Sequence, residues 1–108
     1  MHEIKILTAQ RVVTAAGTPE KLKEDPEFQQ NKVIAIRIRA KTGNAGDIYI
    51  TYDEQRANAS TVGDIIAPGE VYPLDVHDFY DGFLDLSKIW IDAANNGDGI
   101  SYTAFEVI

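Results

Sequence analysis

The sequence predicts an all-β protein, a compact antiparallel β-sandwich of about seven or eight short strands. Two observations support this prediction. Apolar residues alternate with other residues in several short runs, as expected of strands, in which successive side chains point to opposite faces of a sheet. Turn-forming residues interrupt these runs at frequent intervals, and no stretch has a convincing helical period. Short strands separated by turns favour a sandwich over a parallel sheet with crossover helices.

The N-terminal region is expected to contain two short strands, at residues 4–8 and 11–15. A Gly-Thr-Pro break at residues 17–19 ends this region. The charged residues that follow suit a helix, but Pro26 would interrupt one. The better prediction is therefore a short strand around Leu22, followed by a loop.

The strongest strand signal lies in the centre of the chain, where two alternating runs flank Gly43-Asn-Ala-Gly46. The residues expected on the core face of these runs are Ile34, Ile36, Ile38, Ala40, Ile48, Ile50 and Tyr52. Arg37 and Arg39 are expected on the opposite face. Gly and Asn adopt positive φ at low cost, which suits a tight turn between paired strands. The sequence therefore predicts a β-hairpin that turns near residues 43–46.

The remaining strands are expected in the C-terminal half, after an exposed polar loop over residues 53–63. They are predicted at residues 65–66, 70–76, 88–93 and 100–108. Ala67-Pro-Gly69 is a turn between the first two, because Pro presets φ and Gly permits the reversal. Asn95-Asn-Gly-Asp-Gly99 is expected to form the turn of a second hairpin, which connects the third of these strands to the last. Ile89, Ile91 and Ala93 share the predicted core face.

Length and composition indicate one domain over residues 1–108, with 44% hydrophobic residues to form a core. The absence of cysteine excludes disulfides, thiolate metal sites and cysteine nucleophiles. The first residues lack the features of a signal peptide, and no apolar segment approaches the ~20 residues needed to span a bilayer. These features predict a soluble protein, made in a cytoplasm, without a membrane partner.

The net charge of −7 argues against a nucleic-acid partner, because binding to phosphates requires a basic surface. The charge is also unevenly distributed: residues 1–45 carry +3 and residues 46–108 carry −10. Two interpretations remain open. Basic and acidic strands neutralise each other locally within one sandwich, or the protomer has oppositely charged ends suited to head-to-tail contact in a ring or lattice.

Two acidic segments are candidates for a chemical site. Asp92-Ala-Ala-Asn-Asn-Gly-Asp-Gly99 has the composition of a calcium loop, but Ala94 and Phe105 would occupy the first and last ligand positions, so a β-turn is the better interpretation. The second segment holds Asp75, Asp78, Asp81 and Asp85. These carboxylates would support a small hydrolase only if two of them met in one cleft. The sequence therefore predicts no enzyme activity, no catalytic residue, no metal and no cofactor.

Aromatic side chains are the remaining candidates for a functional site. Trp90 is expected on the strand face opposite the core residues, and three further aromatics lie in an acidic loop. The predicted interface residues are Trp90, Phe79, Tyr80 and Phe83. Exposed aromatic clusters tend to mark contacts with other proteins. Burial within this chain, or stacking on sugar rings, are the alternatives.

Several segments also have a distinctive order along the chain. They are Val33-Ile-Ala-Ile-Arg-Ile-Arg-Ala40, Gly43-Asn-Ala-Gly-Asp-Ile-Tyr-Ile50, Ile66-Ala-Pro-Gly-Glu70, Leu74-Asp75 and Asp85-Leu-Ser-Lys-Ile-Trp-Ile-Asp-Ala-Ala-Asn-Asn-Gly-Asp-Gly-Ile-Ser-Tyr102. In this order they resemble small β-sandwich virion proteins of tailed bacteriophages, over about two thirds of the chain. The sequence departs from that pattern at Thr51-Tyr52, where such proteins often have Val-Gly.

The resemblance implies a non-enzymatic structural protein of the virion, most simply one that decorates or reinforces the phage head. The implied partners are other virion proteins, above all the major capsid protein, and further copies of this chain in a homo-oligomer. A neck or tail component is the next expectation. The main alternative is a carbohydrate-binding β-sandwich module, in which the same aromatic residues stack on sugar rings.

Overall fold

Two antiparallel sheets of four strands each make up the fold, which confirms the all-β prediction. The computed structural model describes residues 4–22, 33–52, 63–75, 84 and 86–107, with the main chain alone for Tyr52, Ser87 and Val107. The strands are β1 (Ile4–Val12), β2 (Glu20–Lys21), β3 (Val33–Ala40), β4 (Ile48–Tyr52), β5 (Asp64–Ile66), β6 (Val71–Asp75), β7 (Ile89–Ala93) and β8 (Gly99–Val107). A short 3-10 helix, Leu86–Lys88, precedes β7. Sheet 1 has the order β1-β8-β3-β6, and sheet 2 has the order β2-β7-β4-β5.

Of the connections that cross from one sheet to the other, four lie entirely within the described residues, and we call these four the crossover loops. They comprise residues 13–19, 41–47, 67–70 and 94–98. All four lie at the same end of the sandwich, because the antiparallel registers bring together the strand ends that they join. Eight antiparallel strands in this order form a double-sheet jelly roll.

The two hairpins predicted from the sequence are not formed. β3 and β4 lie in different sheets, and so do β7 and β8. β3 pairs with β8 and β6, whereas β4 pairs with β7 and β5. The predicted strands are present, but the loops between them connect two sheets. Alternating apolar residues point into the same core in either arrangement, so the sequence pattern does not distinguish them.

The turn chemistry predicted for residues 43–46 is also wrong. Among the described residues, positive φ occurs only at Gly17, Gly69 and Gly97. Gly46 is instead constrained by space, because a Cβ there would lie 2.6 Å from Asn95 Nδ2. Two crossover loops therefore pack directly against each other at this point.

The N-terminal strand is continuous, whereas the sequence predicted two strands. β1 pairs with β8 without a break from Ile4 opposite Val107 to Val12 opposite Gly99. The residues that follow β1 form the first crossover loop, although its first residue, Val13, is buried in the core. The short strand expected near Leu22 is present as β2, and Leu22 itself is buried directly after it.

The core lies between the two sheets. Sheet 1 contributes Ile36, Ile38, Ala40, Ile100, Tyr102 and Ala104, and sheet 2 contributes Ile48, Ile50, Ile66, Ile89, Ile91 and Ala93. Ile34 was expected here but is half-buried, and Val33 is buried in its place. The cause is a bulge in β3 between Val33 and Ala35, which reverses the side-chain alternation. The side chain of Tyr52 lies outside the described residues.

Candidate protein-interaction surfaces

Trp90 lies on the outer face of sheet 2, on the opposite side of β7 from Ile89 and Ile91, as predicted. Strand pairing places it between Lys21 of β2 and Thr51 of β4. The Trp90 side chain is half-buried, and Lys21 Nζ lies 5.7 Å from the centroid of its ring. A partly exposed cation such as Lys21 stabilises the ring contact by about 0.5–1 kcal/mol. Trp90 is thus neither a core side chain nor an uncovered aromatic platform.

The neighbouring row on this face consists of Asp92, Tyr49 and Ile65. Ile65 is 56% exposed, whereas Asp92 is buried. Asp92 Oδ1 accepts hydrogen bonds from the N–H of Gly17, at 3.0 Å, and of its neighbour in β7, at 2.8 Å. Because the first crossover loop covers Asp92, this part of the outer face presents mainly apolar and aromatic groups. We call Trp90, Tyr49 and Ile65 the sheet 2 patch.

Most of the other predicted site residues fall outside the described residues. These are Phe79, Tyr80 and Phe83 of the aromatic group and Asp78, Asp81 and Asp85 of the acidic group. Asp75 is described: it is the last residue of β6 and is half-buried. The assignment of the three aromatics to an interface with Trp90 stays a prediction. In the part of the chain that is described, no cluster of three or more His, Cys, Asp or Glu side chains could hold a metal ion.

The segment with calcium-loop composition, residues 92–99, contains the crossover loop 94–98 and binds it to the crossover loop 41–47. The carboxylate of Asp98 accepts hydrogen bonds from the N–H of Ala45, at 2.9 Å, and of Gly46, at 3.0 Å, one on each oxygen. The side chain of Asn44 also exchanges two hydrogen bonds of 2.9 Å with the main chain of Gly99. Asp98 is 6% exposed, so these N–H groups compensate for the burial of its charge. The β-turn interpretation of this segment fits these contacts.

The first crossover loop is tied to the same segment. Val13 and Asp98 share a main-chain hydrogen bond of 2.8 Å, and the N–H of Gly97 donates to the carbonyl of Val13 at 2.8 Å. The N–H of Ala16 donates to Asn96 Oδ1 at 2.7 Å. The polar groups at this end of the sandwich are therefore largely bonded to one another, which leaves the outer sheet faces as the better candidates for contact with a partner.

The outer face of sheet 1 carries exposed apolar side chains along β1. Ile4, Ile6 and Val12 are 45%, 61% and 46% exposed. Leu7 and Ala9, on the opposite side of the strand, pack against the core. The alternation along the sequence predicts a strand that contains Ile4 and Ile6, but it does not identify them as surface residues. The available signal was the presence of large apolar residues on both sides of one strand.

The centre of the same face is basic. Arg37 and Arg39 project from β3 and are exposed, and the Arg37 guanidinium carbon lies 5.2 Å from the centroid of the Phe105 ring. Arg39 and Lys41 line a shallow depression of about 600 Å³ together with Asn44. Sheet 1 therefore presents cations from β3 and an apolar strip on β1, with β8 between them.

Comparison with known proteins supports the fold alone. No protein-family model matches the sequence, and no curated protein matches it. Eight chains of solved structures match. One is a subunit of the Bacillus endospore appendages, described as a novel family of disulfide-linked pili; it is 14% identical, with a TM-score of 0.50 over 100% of this chain and 91% of that chain. This chain has no cysteine, so it is similar to that subunit in fold without the residues for such a linkage. No helix among the described residues is long and apolar enough to cross a membrane.

Proposed function

We propose that this chain is a non-enzymatic structural protein of a tailed-phage virion that decorates the head by binding the major capsid protein. The observation that carries the proposal is the exposed apolar surface on both sheets, at Ile4, Ile6 and Val12 on β1 and at Ile65 on β5, opposite Tyr49. Apolar surface of this kind marks contacts with other proteins. The sequence resemblance to small virion proteins supports the same role.

The fold supports the proposal by analogy. Jelly rolls occur in viral capsid proteins but also in lectin domains, so the architecture alone does not choose between them. The similarity to a pilus subunit agrees with a structural role in an assembly. In this proposal the protein is made in the host cytoplasm, forms a homo-oligomer and resides in the virion. A place in the neck or tail is the alternative within the same role.

The proposed contact with the capsid uses the sheet 2 patch. Trp90 is its natural anchor, because it is half-buried, Tyr49 lies diagonally from it on the neighbouring strand β4, and Ile65 follows on β5, beyond Tyr49. Trp side chains that become buried at the centre of an interface typically contribute about 2 kcal/mol or more to binding. The acidic remainder of the chain then faces a basic partner surface or solvent.

Co-sedimentation tests this role. The purified chain is mixed with heads assembled from the major capsid protein encoded in the same genome, and Trp90→Ala is compared with Val71→Ala, which truncates an exposed apolar residue on the other sheet. We expect Trp90→Ala to weaken binding about thirtyfold without unfolding the chain, and Val71→Ala to leave binding unchanged. Unchanged binding with lost stability would show that Trp90 stabilises the fold and does not contact the capsid. Failure of the unaltered chain to bind heads, necks or tails would refute the virion role.

A carbohydrate-binding module is the second candidate. It is favoured by the position of Trp90 and Tyr49 on one outer face, and disfavoured by Lys21, which covers part of the Trp90 ring. Trp90 is the only tryptophan, so its fluorescence reports directly on this surface. Saturable, glycan-dependent quenching in the isolated chain would support this alternative; we expect none.

A further inference from the structure

Four strands lie at the edges of the two sheets, and three of them are poorly suited to pair with another chain. β2 has two residues and β5 has three. β6 has five residues but contains Pro73. The N–H of Ala40 donates to the carbonyl of Glu70, and alternation along the β3–β6 pair then directs the main chain of Pro73 toward the free edge. The free edge of β6 therefore lacks one donor, a device that blocks edge pairing.

The remaining edge strand, β1, has no such protection. It spans nine residues without Pro or Gly and pairs along its whole length with β8. The N–H of Val13 donates to the carbonyl of Asp98 in continuation of this register, so the main chain of the odd-numbered residues bonds to β8. The main-chain groups of the even-numbered residues consequently face the free edge. Among the strands that are described, none pairs with it.

The side chains along this free edge add to its capacity for contact. The residues whose main chain faces the edge are Ile4, Ile6, Thr8, Gln10 and Val12. Their side chains lie on the outer face of sheet 1, and the three apolar ones are the exposed residues described above. A long edge strand with exposed apolar side chains is the kind of edge that readily accepts another strand.

We propose that the free edge of β1 binds β1 of a second copy of this chain, antiparallel and about a two-fold axis. Two copies of the four-stranded sheet 1 then form one continuous sheet. The partner is a polypeptide strand, because the groups to be satisfied are main-chain N–H and C=O groups. It is β1 of a second copy, because no other described edge matches β1 in length without a blocked donor. A shared patch on both copies is the usual form of a dimer interface.

Charge disfavours the register centred on Thr8, which is the one that pairs β1 along its whole length. Residues that face the free edge must lie opposite one another, so the axis passes through a residue of β1. An axis at Thr8 would place Lys5 opposite Arg11 of the second copy, and like charges in directly opposed positions are destabilising. An axis at Leu7 places Lys5 opposite Ala9 of the second copy instead. It also pairs Ile6 with Thr8 of the second copy, and this is the register that we assign.

Light scattering across a range of concentrations tests the pairing. We expect the unaltered chain to dimerise. Thr8→Pro removes an N–H that faces the free edge and leaves the bonds between β1 and β8 in place, whereas Thr8→Ala retains that N–H. Thr8→Pro is expected to raise the dimer dissociation constant about tenfold or more, and Thr8→Ala by no more than about twofold. Circular dichroism checks folding, and Ile6→Lys, which puts a charge on the edge, replaces Thr8→Pro if that variant does not fold.

Single cysteines test the register, since the chain has none of its own. A mixture of Ile6→Cys and Thr8→Cys is expected to form a disulfide-linked dimer under mild oxidation, and Thr8→Cys alone is not. Val71→Cys, on the edge strand β6, is the control and is expected to form no disulfide-linked dimer. Efficient cross-linking of Thr8→Cys to itself would overturn the register. A monomer at all concentrations, a dimer insensitive to both edge variants, or cross-linking through Val71→Cys would overturn the β1 interface.

This inference deepens the proposed assembly role and rests on it for the expectation of a homo-oligomer. Experiments can nevertheless refute the β1 dimer and the virion role independently of each other. Binding of a monomer to phage heads, lost in Trp90→Ala, would overturn the β1 dimer and leave the virion role standing. A β1 dimer that binds no part of the virion would refute the virion role and leave the β1 dimer standing.

Discussion

Asp98→Ala tests the account of how the crossover loops are held together. In the folded chain each oxygen of the Asp98 carboxylate accepts one N–H, from Ala45 at 2.9 Å and from Gly46 at 3.0 Å. Asp98 is 6% exposed, so water does not readily replace its side chain when it is removed. Asp98→Ala therefore removes two charge-assisted hydrogen bonds and leaves two N–H groups without their acceptor.

The expected loss follows from these two bonds. A hydrogen bond to a charged group contributes about 1.5–3 kcal/mol to stability. Taking the lower end of this range for each bond, we expect the free energy of unfolding to fall by about 3 kcal/mol in Asp98→Ala. For a domain of this length, this corresponds to a decrease in Tm of about 12 °C.

Urea denaturation, followed by far-ultraviolet circular dichroism, measures this change. Asp47→Ala is the matched control, because it removes the same charge from an adjacent loop, and the Asp47 side chain has no hydrogen bond or ion pair with the described residues. We expect the control to change the free energy of unfolding by less than about 0.5 kcal/mol. Equal losses in the two variants would indicate a general charge effect. A loss below about 1 kcal/mol in Asp98→Ala would refute the proposed role of its carboxylate.

Three further predictions concern the same fold. Gly99→Ala should lower the free energy of unfolding by about 2 kcal/mol or more, because the new Cβ would lie 2.5 Å from the carbonyl oxygen of Arg11. Gly43→Ala is the control: its Cβ would have no atom within 4 Å, so it should be nearly neutral in the same denaturation assay. Ile38→Ala should cost about 2–5 kcal/mol, and Ile34→Ala clearly less, since only Ile38 is fully buried. Millimolar calcium should leave Tm unchanged, and a saturable increase would revive the calcium-loop interpretation.

Much of the strand content was predictable because alternation is a local property. The parity of Ile36, Ile38 and Ala40 gave their core face correctly, and so did the parity of Ile89 and Ile91. The position of Trp90 on the opposite face followed from the same rule. The rule failed at Ile34, because one extra residue in a bulge reverses the alternation, and nothing in the local pattern marks that residue.

Of the predicted interface residues, Trp90 alone lies among the described residues. Trp90 is on an outer face as expected, but the covering Lys21 comes from β2, about 70 residues earlier in the chain, and depends on the β2–β7 register. The exposure of Ile4 and Ile6 was missed, because a strand with apolar residues on both sides suits a strand buried on both faces as well as an edge strand with one exposed face.

By itself, the sequence determined the fold class, most of the strands and the face of each strand that meets the core, because these depend on residues that are close together in the chain. Only the tertiary structure decided which strands pair. A hairpin and a sheet-to-sheet connection use the same Gly- and Asn-rich loops and bury the same apolar faces. The choice between them depends on contacts between distant residues, such as those of Asp98 with Ala45 and Gly46. For the same reason, the unprotected edge of β1 becomes apparent only when the neighbours of every strand are known.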